Sequence, residues 1–490
     1  MNLRDLLHGV TASPVAAVPV AGLACHSKQV RPGDLFIAME GAEADGHAFI
    51  HEAVARGAAA VVAQRLPVLS RACPCVVVPD TRAALVRIAA RFYGHPSRKL
   101  RLIGVTGTNG KTTTTYLMKT ILEAAGFRAG LLGTIRYHIG ERVVPSTNTT
   151  PGPLELQRYF AQMVGEGLQW CAMEVSSHAL AQGRVVGLEF EGAVFCNLGS
   201  DHLDYHKTRE AYAAAKRRLF EYLRPEGQAV INIDDDYGRV LAETLPKGSV
   251  VTYGMERQAK VSVKQAACSW QGTTLILDTP WGLVPIATPL LGRHNVWNIA
   301  SAAATLLALG VSAEAVRSGL AALDGVPGRL ERVPNDLDLR VLIDYAHTAD
   351  AIRLVLASLR ELTKGRLIIV FGCGGNRDQT KRPVMGKMAS LLADHVVLTS
   401  DNPRGEDPRE IIRQIQAGFV PGFHQFEVVP DREQAIVAAL AQARREDTVL
   451  IAGKGHEAHQ IFDHISVPFS DREVVERWVG SRHSLALTST

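Results

Sequence analysis

The last third of the chain alternates short apolar runs with amphipathic stretches. The apolar runs predict five strands, at residues 340–345, 366–372, 394–400, 427–429 and 447–453. The stretches between them predict helices, at roughly 349–363, 381–393, 407–418 and 431–445. Strands that alternate with helices in this way form parallel sheets with helices on both faces. We therefore predict an α/β fold here, with a Rossmann-like arrangement.

The first two thirds of the chain carry a less regular alternation. Strands are predicted at residues 34–39, 75–80, 100–106, 168–175, 192–198 and 227–233, with a helix followed by a strand over 51–63. Further helices are predicted at residues 81–94, 111–125 and 294–310. His95-Pro96-Ser97 and Val326-Pro327-Gly328 are hinge candidates, because proline disfavours helix in the residue before it. We predict three domains, at residues 1–97, 98–327 and 328–490, the central one with a parallel sheet of the phosphate-loop ATPase type.

The composition is that of a globular protein. Of 490 residues, 47% are hydrophobic and 21% are charged. The net charge of +4 gives no electrostatic reason to expect a nucleic acid or a membrane as partner. Among seven cysteines only Cys73 and Cys75 are close in sequence, so we expect reduced thiols in a cytoplasmic protein. Ser13, Pro14 and Pro19 interrupt the apolar N-terminal stretch, which argues against a signal peptide.

A glycine-rich turn joins the strand at 100–106 to the helix that follows. Gly107-Thr108-Asn109-Gly110-Lys111-Thr112 departs from the strict phosphate-loop spacing, which has a glycine where this chain has Val105. The physical features of such a loop remain, because glycines let backbone N–H groups surround an anion and Lys111 adds positive charge. The Thr112 hydroxyl can hold Mg²⁺. We predict nucleotide binding here.

Polar side chains follow two further strands of the central segment. Glu174 ends the run at 168–175, and His202 follows the run at 192–198. Ligands in open α/β sheets bind beyond the carboxyl ends of strands, so both residues are candidates for holding a cation near the phosphates. Glutamate is the better Mg²⁺ ligand, and His202 is the weaker candidate on chemistry alone. Lys216 lies in a predicted helix and reads, by itself, as a solvated lysine; Asp234-Asp235-Asp236 reads as a helix cap or turn.

Charged residues also follow three strands of the last segment. Gly372–Asp378, the stretch LTSDNPRGEDP at 398–408 and the stretch AGKGHE at 452–457 each follow a predicted strand. The resulting set carries cations and anions together: Arg377, Asp401, Asn402, Arg404 and Glu457. Arginine binds carboxylates in a forked geometry and carboxylates accept from ammonium groups, so the set suits a zwitterionic ligand. Surface ion pairs and caps are the alternative interpretation.

Eleven stretches in fixed order resemble the Mur ligases, the ATP-dependent amino-acid-adding enzymes of peptidoglycan synthesis. They are TGTNGKTTT, NTTP, MEVSSHALAQGR, NLGSDHLDYH, AAAKRRLF, LLGRHNVWNIASA, GVPGRLE, DYAHT, GCGGNRD, DNPR and GKGHE. The resemblance covers almost the whole chain, and the ordered set is far more specific than any single stretch.

The resemblance implies roles for individual residues. The ATP site would comprise Gly107, Thr108, Asn109, Gly110, Lys111, Thr112, Thr113, Asn295, Asn298, Arg329, Asp344 and His347. Catalysis would involve Lys111, Glu174, His202 and Lys216. Magnesium would be held by Thr112, Glu174, His202 and Lys216, the last as a carbamate, which replaces the interpretation of Lys216 as a solvated lysine. The UDP-N-acetylmuramoyl-dipeptide would contact Ser27, Thr149, Thr150, Ser176, Gln182 and Arg184. An amino-acid pocket would comprise Arg377, Asp401, Asn402, Pro403, Arg404, Gly453 and Glu457.

The implied activity is a cytoplasmic, monomeric ligase that adds a third residue to a UDP-linked dipeptide through an acyl phosphate. DNPR resembles the signature of family members that use meso-diaminopimelate. L-lysine or another amino acid, and a folylpolyglutamate-synthetase-like activity, are the alternatives within the fold; a nucleotide-hydrolysing switch is the alternative from another class. One departure concerns His26-Ser27-Lys28, where the family usually has Asp-Ser-Arg. Lysine cannot fork an acceptor as arginine does, so the sequence leaves the uridine-side contacts beside Ser27 open.

Overall fold

The protein is described by a computed structural model, which covers residues 1–41, 44–66, 73–199 and 201–487 and, in the last helix, side chains through residue 482. Ser200, within the stretch NLGSDHLDYH, lies outside the described residues. The chain forms two compact units. The first unit comprises Met1–Gly104, Phe127–Glu191 and Arg218–Gly227, and the second comprises Val105–Gly126, Gly192–Arg217 and Gln228–Thr490.

Strands and helices alternate along most of the chain. The strands are β1 (Gly22–Ala24), β2 (Asp34–Ile37), β3 (Ala60–Ala63), β4 (Cys75–Val77), β5 (Arg101–Thr106), β6 (Ala129–Leu132), β7 (Arg136–Ile139), β8 (Arg142–Pro145), β9 (Trp170–Glu174), β10 (Phe190–Phe195), β11 (Leu223–Asn232), β12 (Val250–Gly254), β13 (Val261–Ser269), β14 (Gly272–Thr279), β15 (Gly282–Thr288), β16 (Glu331–Arg332), β17 (Arg340–Asp344), β18 (Leu367–Phe371), β19 (His395–Leu398), β20 (Phe426–Val428), β21 (Thr448–Ala452), β22 (His459–Phe462) and β23 (Ile465–Pro468). The helices are α1 (Leu3–Leu7), α2 (Ile50–Ala55), α3 (Thr81–Phe92), α4 (Lys111–Ala124), α5 (Pro153–Gly165), α6 (Ser177–Ala181), α7 (Leu203–His206), α8 (Arg209–Arg217), α9 (Asp236–Thr244), α10 (His294–Ala308), α11 (Ala313–Ala321), α12 (Ala349–Leu362), α13 (Lys381–Leu392), α14 (Pro408–Gln416), α15 (Arg432–Gln442) and α16 (Asp471–Leu487).

The C-terminal part of the second unit contains the sheet that the alternating pattern predicts. Its strand order is β16-β17-β21-β18-β19-β20, and β17, β21, β18, β19 and β20 run parallel. The antiparallel edge strand β16 was not predicted. Parallel pairing places Asp344, Ala452, Phe371 and Leu398 at one end of neighbouring strands. The loops that follow these four strands therefore leave from the same edge of the sheet.

Helices cover both faces of this sheet, as the sequence predicts. One face packs Ile352 and Leu356 of α12, Met385 of α13 and Ile412 of α14 into a single apolar cluster. The other face packs Ile436 of α15 and the two buried valines at the start of α16 against the remaining strand side chains. Because both faces are buried, strands such as Leu367–Phe371 are apolar throughout instead of alternating with polar residues.

The first unit holds a small parallel sheet, β1-β2-β3-β4, with apolar clusters on both sides. Helix α3 packs on one side and begins at Asp80, whose carboxylate accepts from the backbone N–H groups of Arg82 and Ala83. The same unit pairs β6 with β9 in parallel, and β6, β7 and β8 form an antiparallel meander. The short strands β7 and β8 were not predicted.

The second unit contains an antiparallel addition to the predicted parallel sheet. Strands β11, β12 and β13 pair in parallel, whereas β13, β14 and β15 form an antiparallel meander. The last strand alternates exposed and buried positions from residue 283 to 288. The residue types do not follow this alternation, since Leu283 is exposed and Thr288 is buried, and no strand was predicted there. Asp235 caps helix α9 by accepting from the N–H of Gly238, which confirms the predicted cap.

A fully buried ion pair fastens helix α15 to helix α16 beneath the C-terminal sheet edge. Arg432 donates to both carboxylate oxygens of Asp471, from Nε at 2.7 Å and from Nη2 at 2.8 Å. Both side chains are 0% exposed. Arg432 also donates to the carbonyl oxygens of Ser400, which follows β19, and of Ala452, at the end of β21. This arginine therefore links the helices to the loops at the sheet edge.

We expect Asp471→Ala to lower the free energy of unfolding by about 3–5 kcal/mol, because it leaves the Arg432 charge buried and unpaired. Denaturant unfolding followed by circular dichroism measures the change. The matched control is Glu433→Ala, which breaks an exposed pair with Arg477 (N···O 2.9 Å) and should change stability little. Equal effects of the two substitutions would contradict the importance assigned to the buried pair.

Candidate functional site

The glycine-rich turn between β5 and α4 has the conformation of an anion-binding loop. Gly110 precedes helix α4 with φ +89°, and Lys111 is the first residue of that helix. Lys111 Nζ donates to the carbonyl oxygens of Gly107 and Thr108, both at 2.9 Å. The helix N-terminus and this ammonium group lie at the same turn, and both favour a negatively charged ligand. The predicted helix from Lys111 onward is confirmed.

Lys216, from helix α8, reaches the same turn. Its side chain is buried, Nζ donates to the Gly107 carbonyl at 2.8 Å, and Nζ lies 4.2 Å from the centre of the Tyr212 ring. Burial, followed by the charge of Lys111, holds the pKa of Lys216 well below its usual value. The interpretation of Lys216 as a solvated helix lysine is therefore wrong. A helical pattern does not reveal which face of a short helix is covered.

Asn197, which sequence analysis did not single out, supports the loop from behind. Its carbonyl oxygen accepts from Thr108 N at 3.0 Å, and its Oδ1 accepts from Asn109 N at 2.9 Å. Its Nδ2 donates to Asn109 O at 3.2 Å. The Thr108 hydroxyl contacts the Tyr212 hydroxyl at 3.2 Å. Asn197 follows strand β10. The criterion that selected Glu174 and His202, a polar residue at the end of a strand, could therefore also have found Asn197.

Asn295 and Asn298, predicted on the nucleotide side, are buried in helix α10 behind the loop. Asn298 Nδ2 donates to Asn295 Oδ1 at 2.8 Å, and Asn295 Nδ2 donates to Leu291 O at 2.7 Å. A Cβ built on Gly110 would collide with Asn298 Oδ1. A glycine is thus required at position 110 for two reasons, its positive φ and this close approach.

Arg329 brings the segment after the second hinge candidate to the phosphate loop. Its Nη2 donates to Thr112 Oγ1 at 3.2 Å, and its guanidinium carbon lies 4.6 Å from the centre of the Tyr345 ring. Asp344 accepts from Leu330 N at 2.7 Å and from Ala346 N at 2.8 Å, and burial raises its pKa. In this arrangement both Asp344 oxygens hold backbone of the adjacent loops.

The two histidines predicted near the nucleotide occupy different environments. His347 lies beside Tyr345, with ring centres 4.6 Å apart, and burial followed by the charge of Lys381 lowers its pKa. His202 has φ +55°, and its Nε2 lies 3.4 Å from Asp201 Oδ2. Desolvation lowers the pKa of His202, and the Asp201 carboxylate opposes that shift. A lowered pKa favours the neutral imidazole, which is the form that binds a metal.

Glu174 ends strand β9 in the first unit and is 0% exposed. Its Oε1 accepts from Thr134 N at 2.8 Å and its Oε2 from Thr134 Oγ1 at 3.0 Å. Thr134 Oγ1 also contacts Thr149 Oγ1 at 3.0 Å. Sequence analysis did not single out Thr134. It follows strand β6, just as Val175 follows the neighbouring parallel strand β9.

Most of the residues predicted to contact the UDP-linked dipeptide form one cluster in the first unit. Thr150 Oγ1 donates to Glu174 O at 2.9 Å and accepts from Ser176 N at 3.0 Å. Arg184 donates from Nη1 to Thr150 O at 2.8 Å and from Nε and Nη2 to Gln182 Oε1 at 2.9 and 2.7 Å. Ser27 belongs to a different part of the unit, where its hydroxyl donates to Glu52 Oε2 at 2.7 Å.

The chemistry of the predicted metal ligands fits magnesium as a partner of nucleotide phosphates. Thr112 and Glu174 offer the hard oxygen donors that Mg²⁺ prefers. Within the described ranges, no group of three or more His, Cys, Asp or Glu side chains could hold a metal ion. Mg²⁺ at nucleotide sites is usually bound through one or two carboxylates together with phosphates and water. Glu174 belongs to the first unit and Thr112, His202 and Lys216 to the second, so the ligand set remains a prediction.

The charged loops of the C-terminal sheet lie together, as predicted from strand ends. The loop after β18 contacts the loop after β19, where Gly375 N donates to Asn402 O at 2.9 Å. A Cβ on Gly375 would collide with Pro403 O, so the two loops approach at a glycine. Asp401 is 8% exposed and lies within reach of a Cβ built on Gly453, from the loop after β21. The predicted pocket residues thus come from three loops that follow three adjacent strands, β21, β18 and β19.

Strand β22 holds the DNPR loop in place and was not predicted. Arg404 has φ +51°, its N donates to Ile461 O at 3.0 Å, and its carbonyl accepts from Asp463 N at 2.7 Å. Gln460 Nε2 donates to Asp401 O at 2.8 Å. The Arg404 side chain donates from Nη1 to Gly375 O at 2.9 Å, which leaves Nε and Nη2 without a hydrogen-bond partner among the described residues. Partial burial, followed by the charge of Arg377, lowers the pKa of Arg404.

A second buried arginine ties the same loops together. Arg382, in helix α13, is 0% exposed and donates to both oxygens of Glu406, at 2.8 and 2.9 Å. Its Nη2 also donates to Gly374 O at 3.2 Å. Glu406 lies just after the DNPR stretch, so this forked pair joins the loop after β18 to the loop after β19. Arg377, by contrast, is exposed.

Two further features bear on function. A surface cleft of about 610 Å³ lies between strands β13–β15 and helix α11, and its lining contains no predicted site residue. The cleft lacks buried charged groups that converge on a ligand, so it is a weaker candidate than the sheet edges.

Among the helices that the structure describes, none has both the length and the apolar character needed to cross a membrane.

Comparison with known proteins identifies a family over most of the chain. The Mur ligase middle domain matches residues 105–306, and the Mur ligase glutamate ligase domain matches residues 328–455. The catalytic domain of the Mur ligase family matches residues 19–93. These three ranges fall inside the three domains predicted from the sequence.

Curated relatives match along nearly their whole length. The chain is 45% identical over 470 residues to UDP-N-acetylmuramoyl-L-alanyl-D-glutamate–2,6-diaminopimelate ligase of Geobacillus kaustophilus, covering 94% of this chain and 95% of the relative. It is 44% identical over 499 residues to the protein of the same name from Geobacter metallireducens, covering 97% and 98%.

Solved structures agree with the α/β fold. A structure of a protein with the same name superposes with a TM-score of 0.69 at 33% identity, covering 99% of both chains. The MurF ligase of Thermotoga maritima in complex with ADP superposes with a TM-score of 0.66 at 21% identity, covering 94% of this chain and 98% of that one. The second likeness bears on the fold alone.

We expect Gly110→Ala to weaken ATP binding by more than about tenfold. A left-handed alanine costs about 1–2 kcal/mol, and its Cβ would also displace Asn298 from the loop. Isothermal titration with ATP measures the affinity. The matched control is Gly126→Ala at the other end of helix α4, where φ is +83° and nothing lies within 4 Å of the new Cβ. An equal loss of affinity in the control would mean that backbone strain alone explains the effect.

Proposed function

The chain belongs to the Mur ligase family, and on this premise we propose that it joins meso-diaminopimelate to the D-glutamate side-chain carboxylate of UDP-N-acetylmuramoyl-L-alanyl-D-glutamate. The observation that carries the proposal is the 45% identity, over nearly the full length of both chains, to relatives of that name. ATP supplies the energy for the new amide bond. The proposal includes a monomer acting in the cytoplasm, and three domains at residues 1–97, 98–327 and 328–490.

The first step that we propose is phosphoryl transfer. The γ-phosphoryl group of ATP passes to the D-glutamate carboxylate, which gives an acyl phosphate and ADP. The turn from Gly107 to Thr113 would hold the phosphates, with Lys111 compensating negative charge during transfer. Lys111 already lies over the turn through its bonds to Gly107 and Thr108. Arg329, Asp344, His347, Asn295 and Asn298 would complete the nucleotide site.

Magnesium would be held by Thr112, Glu174, His202 and a modified Lys216. When bound, the cation supplies compensation of phosphate charge and orientation of the phosphate oxygens. On the protein side, Thr134 keeps the Glu174 carboxylate in one orientation through two hydrogen bonds. Thr134 is thus proposed as a positioning residue, since its contact is with Glu174.

The second step that we propose is attack by the amino acid. The amine of diaminopimelate adds to the acyl carbon, a proton leaves the nitrogen, and phosphate departs with the electron pair of the broken C–O bond. Arg377, Asp401, Asn402, Pro403, Arg404, Gly453 and Glu457 would bind the end of the amino acid remote from the reacting amine. Arg404 Nε and Nη2, which have no hydrogen-bond partner among the described residues, match the two oxygens of a carboxylate.

The UDP-linked dipeptide would contact Thr149, Thr150, Ser176, Gln182 and Arg184, with Ser27 on the uridine side. In the structure the Ser27 hydroxyl is committed to Glu52, so uridine would have to share or replace that bond. Lys28 presents its carbonyl to Arg56 Nη2 at 2.9 Å, and a lysine here offers a point charge instead of a fork. We propose that this departure alters uridine contacts without changing the reaction.

We expect the wild-type protein to release phosphate from ATP only when both the UDP-linked dipeptide and meso-diaminopimelate are present. The assay compares meso-diaminopimelate with L-lysine and with glutamate, the last as a test of folylpolyglutamate-type activity. Lys111→Ala is the matched inactive variant and should fold normally while losing turnover. Release with L-lysine alone would keep the ligase reaction and reject the diaminopimelate pocket. Release with no amino acid would favour a nucleotide-hydrolysing switch.

We further propose that Lys216 acts as a carbamate. Its amine would add to CO₂ and lose one proton, which converts a cation into a carboxylate ligand. The lowered pKa supports this, since the neutral amine is the form that reacts, and an exposed lysine with a pKa near 10.4 stays protonated at pH 7. A carbamate would also remove the repulsion between Lys216 and Lys111.

We expect a carbamate resonance in ¹³C NMR after equilibration with ¹³C-bicarbonate at neutral pH, and its loss in Lys216→Met. The sign of the pH dependence follows from the lowered pKa: carbamylation should persist at pH 7 and decline at lower pH, where the amine becomes protonated. The exposed Lys364 serves as control, since Lys364→Met should leave the resonance unchanged. A resonance that survives in Lys216→Met would reject the assignment.

A further inference from the structure

Lys454 is a buried lysine beneath the amino-acid pocket, and neither the strand-end argument nor the family resemblance singled it out. Its side chain is 0% exposed, whereas Glu457 is 24% exposed. Lys454 Nζ donates to Glu457 Oε2 at 2.9 Å and to Asn402 Oδ1 at 3.1 Å. Asn402 Nδ2 donates to the same Glu457 oxygen at 2.9 Å. The three side chains therefore form a closed triangle.

The triangle determines how the pocket presents its polar atoms. Asn402 Oδ1 accepts from Lys454 and also from Ile461 N at 3.0 Å, so the orientation of its amide is set by two donors. Glu457 Oε2 is engaged twice, while Glu457 Oε1 has no hydrogen-bond partner among the residues that the structure describes. Oε1 is thus the oxygen left to accept from a ligand ammonium group.

Lys454 also decides the charge balance of the pocket. Arg377, Arg404 and Lys454 supply three positive charges, against two negative charges from Asp401 and Glu457. The neighbouring pair of Arg432 with Asp471 is balanced, as is the pair of Arg382 with Glu406, so neither alters the difference. With Lys454 the pocket carries one excess positive charge, and without it the charges cancel.

We propose that Lys454 is a positioning residue that also determines amino-acid selectivity, by orienting Glu457 and by keeping the pocket positive. This inference rests on the proposed function. The remote end of meso-diaminopimelate carries an ammonium and a carboxylate, whose charges cancel, whereas the remote end of L-lysine carries an ammonium alone. A pocket with excess positive charge disfavours the second ligand by like-charge repulsion.

The test compares Lys454→Met with the wild-type protein in the phosphate-release assay, using meso-diaminopimelate and L-lysine in turn. We expect the KM for diaminopimelate to rise about tenfold and the ratio of kcat/KM for diaminopimelate over lysine to fall about tenfold. The KM for ATP should stay unchanged. Lys454→Arg keeps the charge and should keep the ratio. An unchanged ratio in Lys454→Met, or an equal fall in Lys454→Arg, would overturn the proposal.

Arg366→Met is the matched control for loss of a cation from an ion pair in the same sheet. Arg366 donates to Asp447 at 2.8 Å, but it precedes strand β18 and so lies at the amino ends of the strands. We expect this variant to lose stability and keep its selectivity. A fall in selectivity there would show that destabilisation explains the result and would overturn the proposal. If Lys454→Met does not fold, Lys454→Gln provides the same comparison. Wild-type protein that uses neither amino acid would reject the proposed function itself, a result distinct from unchanged selectivity.

Discussion

Parallel strand pairing is the constraint on which the arrangement of the C-terminal sites depends. Neighbouring parallel strands β17, β21, β18 and β19 must end at the same edge of their sheet. The loops that carry Asp344, Glu457, Arg377 and Arg404 therefore leave from one edge, although more than a hundred residues separate the first from the last in sequence. Buried ion pairs beneath that edge, such as Arg432 with Asp471, then restrict how the loops move relative to the strands.

Lysine side chains contact two of the candidate sites in the second unit. At the phosphate loop, Lys111 and Lys216 both donate to the Gly107 carbonyl, and burial, followed by the charge of Lys111, lowers the pKa of Lys216. At the pocket, Lys454 is paired with Glu457 and Asn402. A buried ammonium group is costly unless it is paired or neutral. At the phosphate loop the lowered pKa favours the neutral amine, and at the pocket the side chain is paired with Glu457.

The regular elements were the most predictable part of the structure. The predicted helix at 381–393 is found as Lys381–Leu392, and the predicted strand at 366–372 as Leu367–Phe371. Buried parallel strands are apolar throughout and their helices are amphipathic, so both give strong local signals. The antiparallel strands β13–β15 and the hairpin β22–β23 were missed, because alternating polar strands near the surface resemble loops in composition.

The sequence by itself determined the α/β fold, the glycine-rich turn before α4 and the strand ends at which charged residues collect, because each depends on neighbours in the chain. The tertiary structure alone decided that Lys216 is buried against Gly107, that Asn197 supports the phosphate loop and that Lys454 joins Asn402 to Glu457. Those contacts join residues that lie far apart in sequence or on the covered face of an element. Burial and long-range hydrogen bonds set the charge state and orientation of a side chain, and neither is encoded in local periodicity.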